Sequence, residues 1–264
     1  MSTSARLILG LAMSLIAPAT NPGTPLSTVV IAELFTSEGC SSCLPADTLV
    51  RQLADAQPFD GAHLIALEDH VDYWGRLGWR DPFSSPQFTS RQTEYNDRVF
   101  RSNAVYTPQL VVDGVRECVG SDRSAIRAIV ADSIRRPRAA VKVQSVAVAS
   151  HLSVTVSVDV PAAIERRGVA DVFVVVAERG LVSVVGRGEN GGRTLIHGAV
   201  ARSLTPLGDL SERDRTFAGT VDVAVAPNWN SRNLQIVGVI QERDSRRILG
   251  AGAVEPSFRP GSDQ

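Results

Sequence analysis

The rhythm of hydrophobic and polar positions changes near Arg138. Upstream, short continuous apolar runs alternate with amphipathic stretches; downstream, apolar side chains fall on every second position. Val29–Phe35 is a β-branched run that predicts a buried strand. From Cys40 onward the pattern turns helical, with Leu49, Val50 and Leu53 on one stripe and Pro58 beyond its end. His63–Leu67 predicts a second short strand. Ser85 followed by Pro86 is an N-cap with proline at the first helical position, opening a helix whose stripe is Phe88, Tyr95 and Val99. Thr107–Val119 reads as two strands around an Asp113-Gly114 turn, and Ser121 is expected to cap a last helix facing Ile126, Ile129, Val130 and Ile134 inward.

That order, β-α-β-α-β-β-α, is the order of a thioredoxin-type domain. It places Pro108 where that fold carries its cis-proline, so the Thr107–Pro108 peptide is expected to be cis. Arg135-Arg136-Pro137-Arg138 then marks a boundary. Beyond it, Val154, Val156, Val158 and Val160 alternate with Thr and Ser. Similar runs recur at Val172–Ala177, Leu195–Leu204, Phe217–Val225 and Leu234–Gln241 without a convincing helix between them. The fold class expected is therefore an α/β thioredoxin-like domain over residues 28–136 followed by an all-β sandwich-like domain over 139–256, the two packed rigidly across a short link.

The ends read differently. Arg6, the apolar stretch Leu7–Ala17 and the small-x-small Ala17-Pro18-Ala19 have the form of a secretory signal peptide over residues 1–19, with a linker over 20–27 and a disordered tail over 257–264. That apolar stretch is short for a bilayer span, and no later segment is expected to cross a membrane after signal cleavage. A secreted or periplasmic location follows, where disulfides persist. A formal net charge of -1 over 264 residues gives no reason to invoke nucleic acid. Lys142 is the sole lysine, a compositional bias with no evident functional meaning.

Within this frame Cys40-Ser41-Ser42-Cys43 is the candidate chemistry. Two thiols on the first turn of a helix can close a disulfide, and the helix N-terminus favours a thiolate. Cys40, at the exposed helix end, is expected to attack, and Cys43, one turn in, to be the buried resolving thiol. A structural disulfide remains open as an alternative, as does zinc, although no second CxxC or HxxxH supplies further ligands. A cis peptide at Thr107–Pro108 would put the Thr107 backbone beside the sulfurs for an incoming substrate strand. Glu33 lies seven residues before Cys40. Thioredoxins hold an acidic residue near there that relays protons to the resolving thiol; alternatively the strand is an edge and Glu33 meets solvent. Asp69, His70 and Asp72 with Trp74 and Trp79 suggest either a second polar site or a loop packed down by aromatics. Glu189–Arg193 with His197 reads as a glycine-rich hairpin turn, with a cleft wall near the Cys pair as its functional alternative. Cys118 is the odd thiol, expected as a buried small hydrophobe.

The segments ELFTSEGCSSCLPAD, HVDYWGRLGWRDPFSSPQFTSRQ, YTPQLVVDG and GENGGRTLIHGAVAR resemble a family of secreted thioredoxin-like proteins known as domain of unknown function 1223. Leu44 stands where that family typically has a proline, while Pro45 is kept. The resemblance implies a fold and export, and no activity or cofactor. The expected function is thiol–disulfide exchange with thiols or disulfides of other exported proteins, without a cofactor. The other reading is a non-catalytic secreted binding or scaffold protein whose CxxC is a staple. Oligomeric state is not legible.

Overall fold

Alternation and β-branching account for most of the strands. The computed structural model describes residues 28–258 except 103 and 149. The signal peptide, the linker and all but the first two residues of the expected tail lie outside the described residues. β1 (Thr28–Thr36) buries both faces and pairs in parallel with β2 (Ala62–His70), with Glu33 opposite Leu67 and Thr36 opposite His70. Between them runs α1 (Leu44–Ala56), entered through a single 3-10 turn at Ser41–Cys43 and stopped at Gln57 in the left-handed region. Its stripe of Ala46, Leu49, Val50 and Leu53 packs on Val30, Ala32 and Leu34.

α2 (Pro86–Tyr95) begins as expected, the Ser85 hydroxyl accepting from the Gln87 N–H, and runs on into a π turn at Asn96–Phe100. β3 (Gln109–Val112) and β4 (Arg116–Val119) form a hairpin, and the peptide Thr107–Pro108 before it is cis. The hairpin turns at Asp113 and Gly114, both at positive φ (48° and 72°). A side chain at Gly114 would collide with the Arg246 carbonyl, so glycine is required there for packing as well as for φ. α3 (Arg123–Ile134) is capped by Asp122, whose carboxylate accepts from the N–H groups of Ser124 and Ala125, and the expected cap Ser121 lies one residue outside. A carboxylate satisfies two free N–H groups and favours the positive helix end, which decides between adjacent candidates.

The second half comprises β5 (Ala140–Val148), β6 (His151–Asp159), β7 (Ala170–Arg179), β8 (Val182–Val184), β9 (Thr194–Ile196), β10 (Ala199–Leu210), β11 (Thr216–Ala224), β12 (Leu234–Glu242), β13 (Ile248–Val254) and the two-residue β14 (Ser257–Phe258) at the start of the expected tail. β5 and β6 pair with β11 and β14 in a four-stranded sheet, and β8 and β9 form a separate hairpin. The remaining strands join those of the first half in one eight-stranded mixed sheet, ordered β13-β12-β7-β10-β2-β1-β3-β4.

This sheet corrects the expected fold class. The chain is not a thioredoxin-like α/β domain followed by a separate all-β sandwich-like domain, because strands from both halves share one sheet. The junction is β10 running parallel to β2, with Val200 opposite Glu68. Apolar alternation locates strands but does not say which edges meet. The far edge also touches the first half, where the Ile248 N–H donates to the Asp113 carbonyl at 2.9 Å. The four-stranded sheet covers one face of β7 and β12 with Val154, Val156 and Val158 against Val172, Val174, Val176 and Ile236. On the opposite face Phe173, Val175 and Val237 meet Ile31, Ile65, Leu67 and Phe88 of the first half. An apolar seam of this kind keeps the halves from moving independently. No helix among the described residues is long and apolar enough to cross a membrane.

Candidate functional site

Cys40 and Cys43 are joined by a disulfide, with Cα atoms 5.4 Å apart, at the start of α1 and at the C-terminal end of β1. Both residues are fully buried. For Cys40 this departs from the expected exposed helix end. The neighbouring segments explain it. The Thr107 hydroxyl donates toward the Cys40 Sγ at 3.4 Å, and the Ser42 hydroxyl lies 3.3 Å from the same sulfur. The Trp74 indole N–H donates to the Thr107 hydroxyl at 2.9 Å, and from the hairpin of β8 and β9 the Glu189 carboxylate accepts from the Ser41 N–H at 3.0 Å. Thr107 is thus brought beside the Cys40 sulfur, and Glu189 onto the neighbouring Ser41 N–H. That hydrogen bond holds the Glu189 carboxyl below its ordinary range.

Glu33 goes elsewhere. It is buried, at 3% exposure, so the solvent-edge alternative does not apply. Its two carboxylate oxygens accept from Arg91 Nε and from the Tyr95 hydroxyl, each at 2.5 Å. Both oxygens are committed to α2, a structural ion pair satisfied on every side. Asp47, one helical turn beyond Cys43, is a buried acid on the same helix as the Cys pair. It accepts from the Thr36 hydroxyl at 2.7 Å, and burial together with the neighbouring Glu68 charge pushes its carboxyl up to about 7. Its signal was an acidic residue in a helical stripe otherwise facing inward.

A second polar cluster lies on the same side. Glu38, two residues before Cys40, is fully enclosed: Trp79 Nε1 donates to its Oε2 at 2.7 Å, His197 Nε2 lies 3.1 Å from its Oε1, and its backbone carbonyl accepts from Asn190 Nδ2 at 2.8 Å. The Ser183 hydroxyl donates to the same Oε1. Asp81 accepts from the Glu38 N–H at 2.8 Å and holds His70 Nδ1 at 2.7 Å. Glu68 and His70 project from one face of β2, as the two-residue period requires, and the Glu68 Oε1 accepts from the Gly198 N–H. Paired carboxylates raise the His70 and His197 imidazoles against the opposing effect of burial. The aromatic loop is therefore both packed and polar in function: Trp74 and Trp79 anchor Thr107 and Glu38 through their N–H groups. Asp69 points to the other face of β2 and Asp72 is exposed, capped by Thr89. Of this cluster, His70 and His197 were singled out by sequence in separate motifs; Glu38, Glu68 and Asp81 were not.

Cys118, on β4, is half-buried and free, packed beside the Val112 and Ile126 cluster. Burial, Glu117 and Asp122 push its thiol up to about 12.

The profile of the family described as "Protein of unknown function (DUF1223)" matches residues 31–241, a span that runs from β1 through the Cys pair and the β8–β9 hairpin to β12. The chain belongs to this family. A crystal structure of protein AGR_C_4864 from Agrobacterium tumefaciens, 24% identical, superposes with a TM-score of 0.66 over 88% of this chain and 96% of its own. HBP35 of Porphyromonas gingivalis, at 12% identity and a TM-score of 0.63, aligns over 90% of this chain and 79% of its own. These likenesses are of fold. No curated protein matches the chain.

Proposed function

We propose that this DUF1223 protein exchanges disulfides with other proteins through Cys40 and Cys43, outside the cytoplasm. The observation that carries the reading is the Thr107 hydroxyl 3.4 Å from the Cys40 sulfur, beside a disulfide set at a helix N-terminus. A hydroxyl donor and the positive helix end both stabilise a sulfur anion more than a thiol. In the reduced protein the Cys40 thiolate attacks one sulfur of a partner disulfide. The second partner sulfur leaves as a thiolate and takes up a proton. Cys43, giving its proton to Asp47 or to water, then attacks the Cys40 sulfur and releases the partner's other thiol. The partner disulfide is reduced to two thiols as the Cys pair is oxidised; the reverse sequence oxidises a partner dithiol. Export is supported by the signal-like N-terminal pattern and by the disulfide itself.

Burial of both sulfurs favours a second reading, a structural staple. Mixing the reduced protein with a disulfide-bonded reporter peptide separates the two. Exchange should be lost in Cys40→Ser, and Cys43→Ala should accumulate a mixed disulfide through Cys40. Exchange that is no faster than with free dithiol, in protein shown to be reduced and folded, favours the staple.

A further inference from the structure

Three buried atoms in the cluster beside the Cys pair have no hydrogen-bond partner: Glu68 Oε2, His70 Nε2 and His197 Nδ1. They face one another. Glu68 Oε2 lies 3.6 Å from His197 Nδ1 and 3.9 Å from His70 Nε2, and all three atoms fall within 4.8 Å of one another. Those separations are too long for hydrogen bonds. Around a tetrahedral zinc with bonds of about 2.1 Å, ligand atoms sit roughly 3.4 Å apart, so small shifts would bring the three donors onto one ion.

The surroundings have the form that a metal site requires. Each imidazole is held through its other nitrogen by a carboxylate, His70 by Asp81 and His197 by Glu38. Such carboxylate–histidine pairs fix the ring orientation and aim the free nitrogen at the ion. Glu68 is oriented likewise, its Oε1 on the Gly198 N–H. Phe83 stands edge-on to both rings, at 5.5 and 5.1 Å, and walls the cluster on that side. A cavity of about 480 Å³, lined in part by Glu68 and His197, gives an ion a route in.

We propose that Glu68, His70 and His197 form a binding site for a divalent first-row transition metal, with zinc as the ion best suited to a two-histidine, one-carboxylate set. Three protein donors leave a fourth position for water or another ligand. The donors come from two strand ends 127 residues apart in the chain, which is why no spacing motif announces them (His197 and His70). The site is independent of exchange at the Cys pair, although Glu38 ties the two together: its side chain orients His197 and its backbone leads into Cys40.

The test is zinc binding to chelator-stripped, oxidised, full-length protein, measured by equilibrium dialysis with elemental analysis. One zinc per chain is expected, retained in Cys40→Ser/Cys43→Ser and lost in Glu68→Gln and His197→Gln. Asp81→Asn should weaken binding by about 10–100-fold, the usual effect of removing a group that orients a ligand. Cobalt substitution of the unmutated protein gives a readout that does not depend on variants folding: visible bands of a tetrahedral ion without a thiolate charge-transfer band. Absence of stoichiometric zinc in the folded protein, zinc that leaves with the cysteines, or a thiolate band in the cobalt protein would each overturn the proposal.

Discussion

Replacing Glu33 by Gln separates a structural carboxylate from a proton relay. In the folded protein Glu33 and Arg91 are exposed by only 3% and 7%, and the guanidinium lies against the Tyr95 and Phe173 rings at 5.1 and 5.0 Å. The amide keeps the volume and one acceptor but leaves Arg91 as a buried cation without its partner. Removing one member of a buried ion pair typically costs about 3–5 kcal/mol. Part of that is recovered here. Burial and the Glu33 charge push the neighbouring Asp69 carboxyl up to about 8, and once Glu33 is neutral Asp69 ionises more readily beside Arg91. We expect a net loss of about 3 kcal/mol, which at a urea dependence of about 3 kcal/mol per molar moves the unfolding midpoint down by roughly 1 M. Urea titration followed by circular dichroism measures this. Disulfide exchange per folded molecule should be unchanged, because both Glu33 oxygens face α2. A variant with stability within about 0.5 kcal/mol of the parent but exchange slowed tenfold would refute the structural assignment and restore the relay.

Three further outcomes are expected. Asp47 holds a proton in the folded state up to about pH 7 that the unfolded chain releases near its ordinary value of 3.8, so its contribution to stability falls as pH rises between those values. Denaturation midpoints across pH 4–8 should show Asp47→Asn removing up to about 1.4 kcal/mol per pH unit of that slope; an identical slope in the variant contradicts the burial argument. Cys118, its thiol pushed up to about 12, should label slowly with iodoacetamide at pH 8 until denaturant is added, and rapid labelling of the folded protein would contradict its packing. Glu189→Gln removes an exposed charge from the Ser41 N–H, so the Cys40 thiolate should form at slightly lower pH while stability stays within about 0.5 kcal/mol. A rise in that pH, or a large loss of stability, would show that Glu189 plays a different part.

What the sequence discloses about this protein is local. The Ser85 cap with Pro86, the Asp113-Gly114 turn and the strand before Cys40 are each written in a few consecutive residues, and the structure places them as read; the Cys40–Cys43 pair is just as local, but its first sulfur is buried where an exposed helix end was expected. The shared sheet is not written that way. It depends on Val200 of β10 meeting Glu68 of β2, a pairing that no periodicity encodes because β2 is apolar enough to be buried beside any edge. The same holds for the polar cluster. His70 and His197 were visible in separate motifs, but Glu68 sits inside an apolar strand and Glu38 in a loop, and only the fold brings them to one point. Glu33 was ambiguous for a related reason: its position shows a carboxylate in a strand, while its partners Arg91 and Tyr95 lie on a helix whose docking the sequence does not give.

The central claim is that Cys40 is an activated thiol, and its titration tests this most directly. Reduced protein is pulsed with iodoacetamide across pH, and modification at Cys40 and Cys43 is counted separately by mass spectrometry. The account predicts a Cys40 midpoint well below the ordinary thiol value of about 8.5, with Cys43 unreactive over the same range. Co-titration of both thiols near that ordinary value, or no reaction at Cys40 while the protein remains folded, would contradict it.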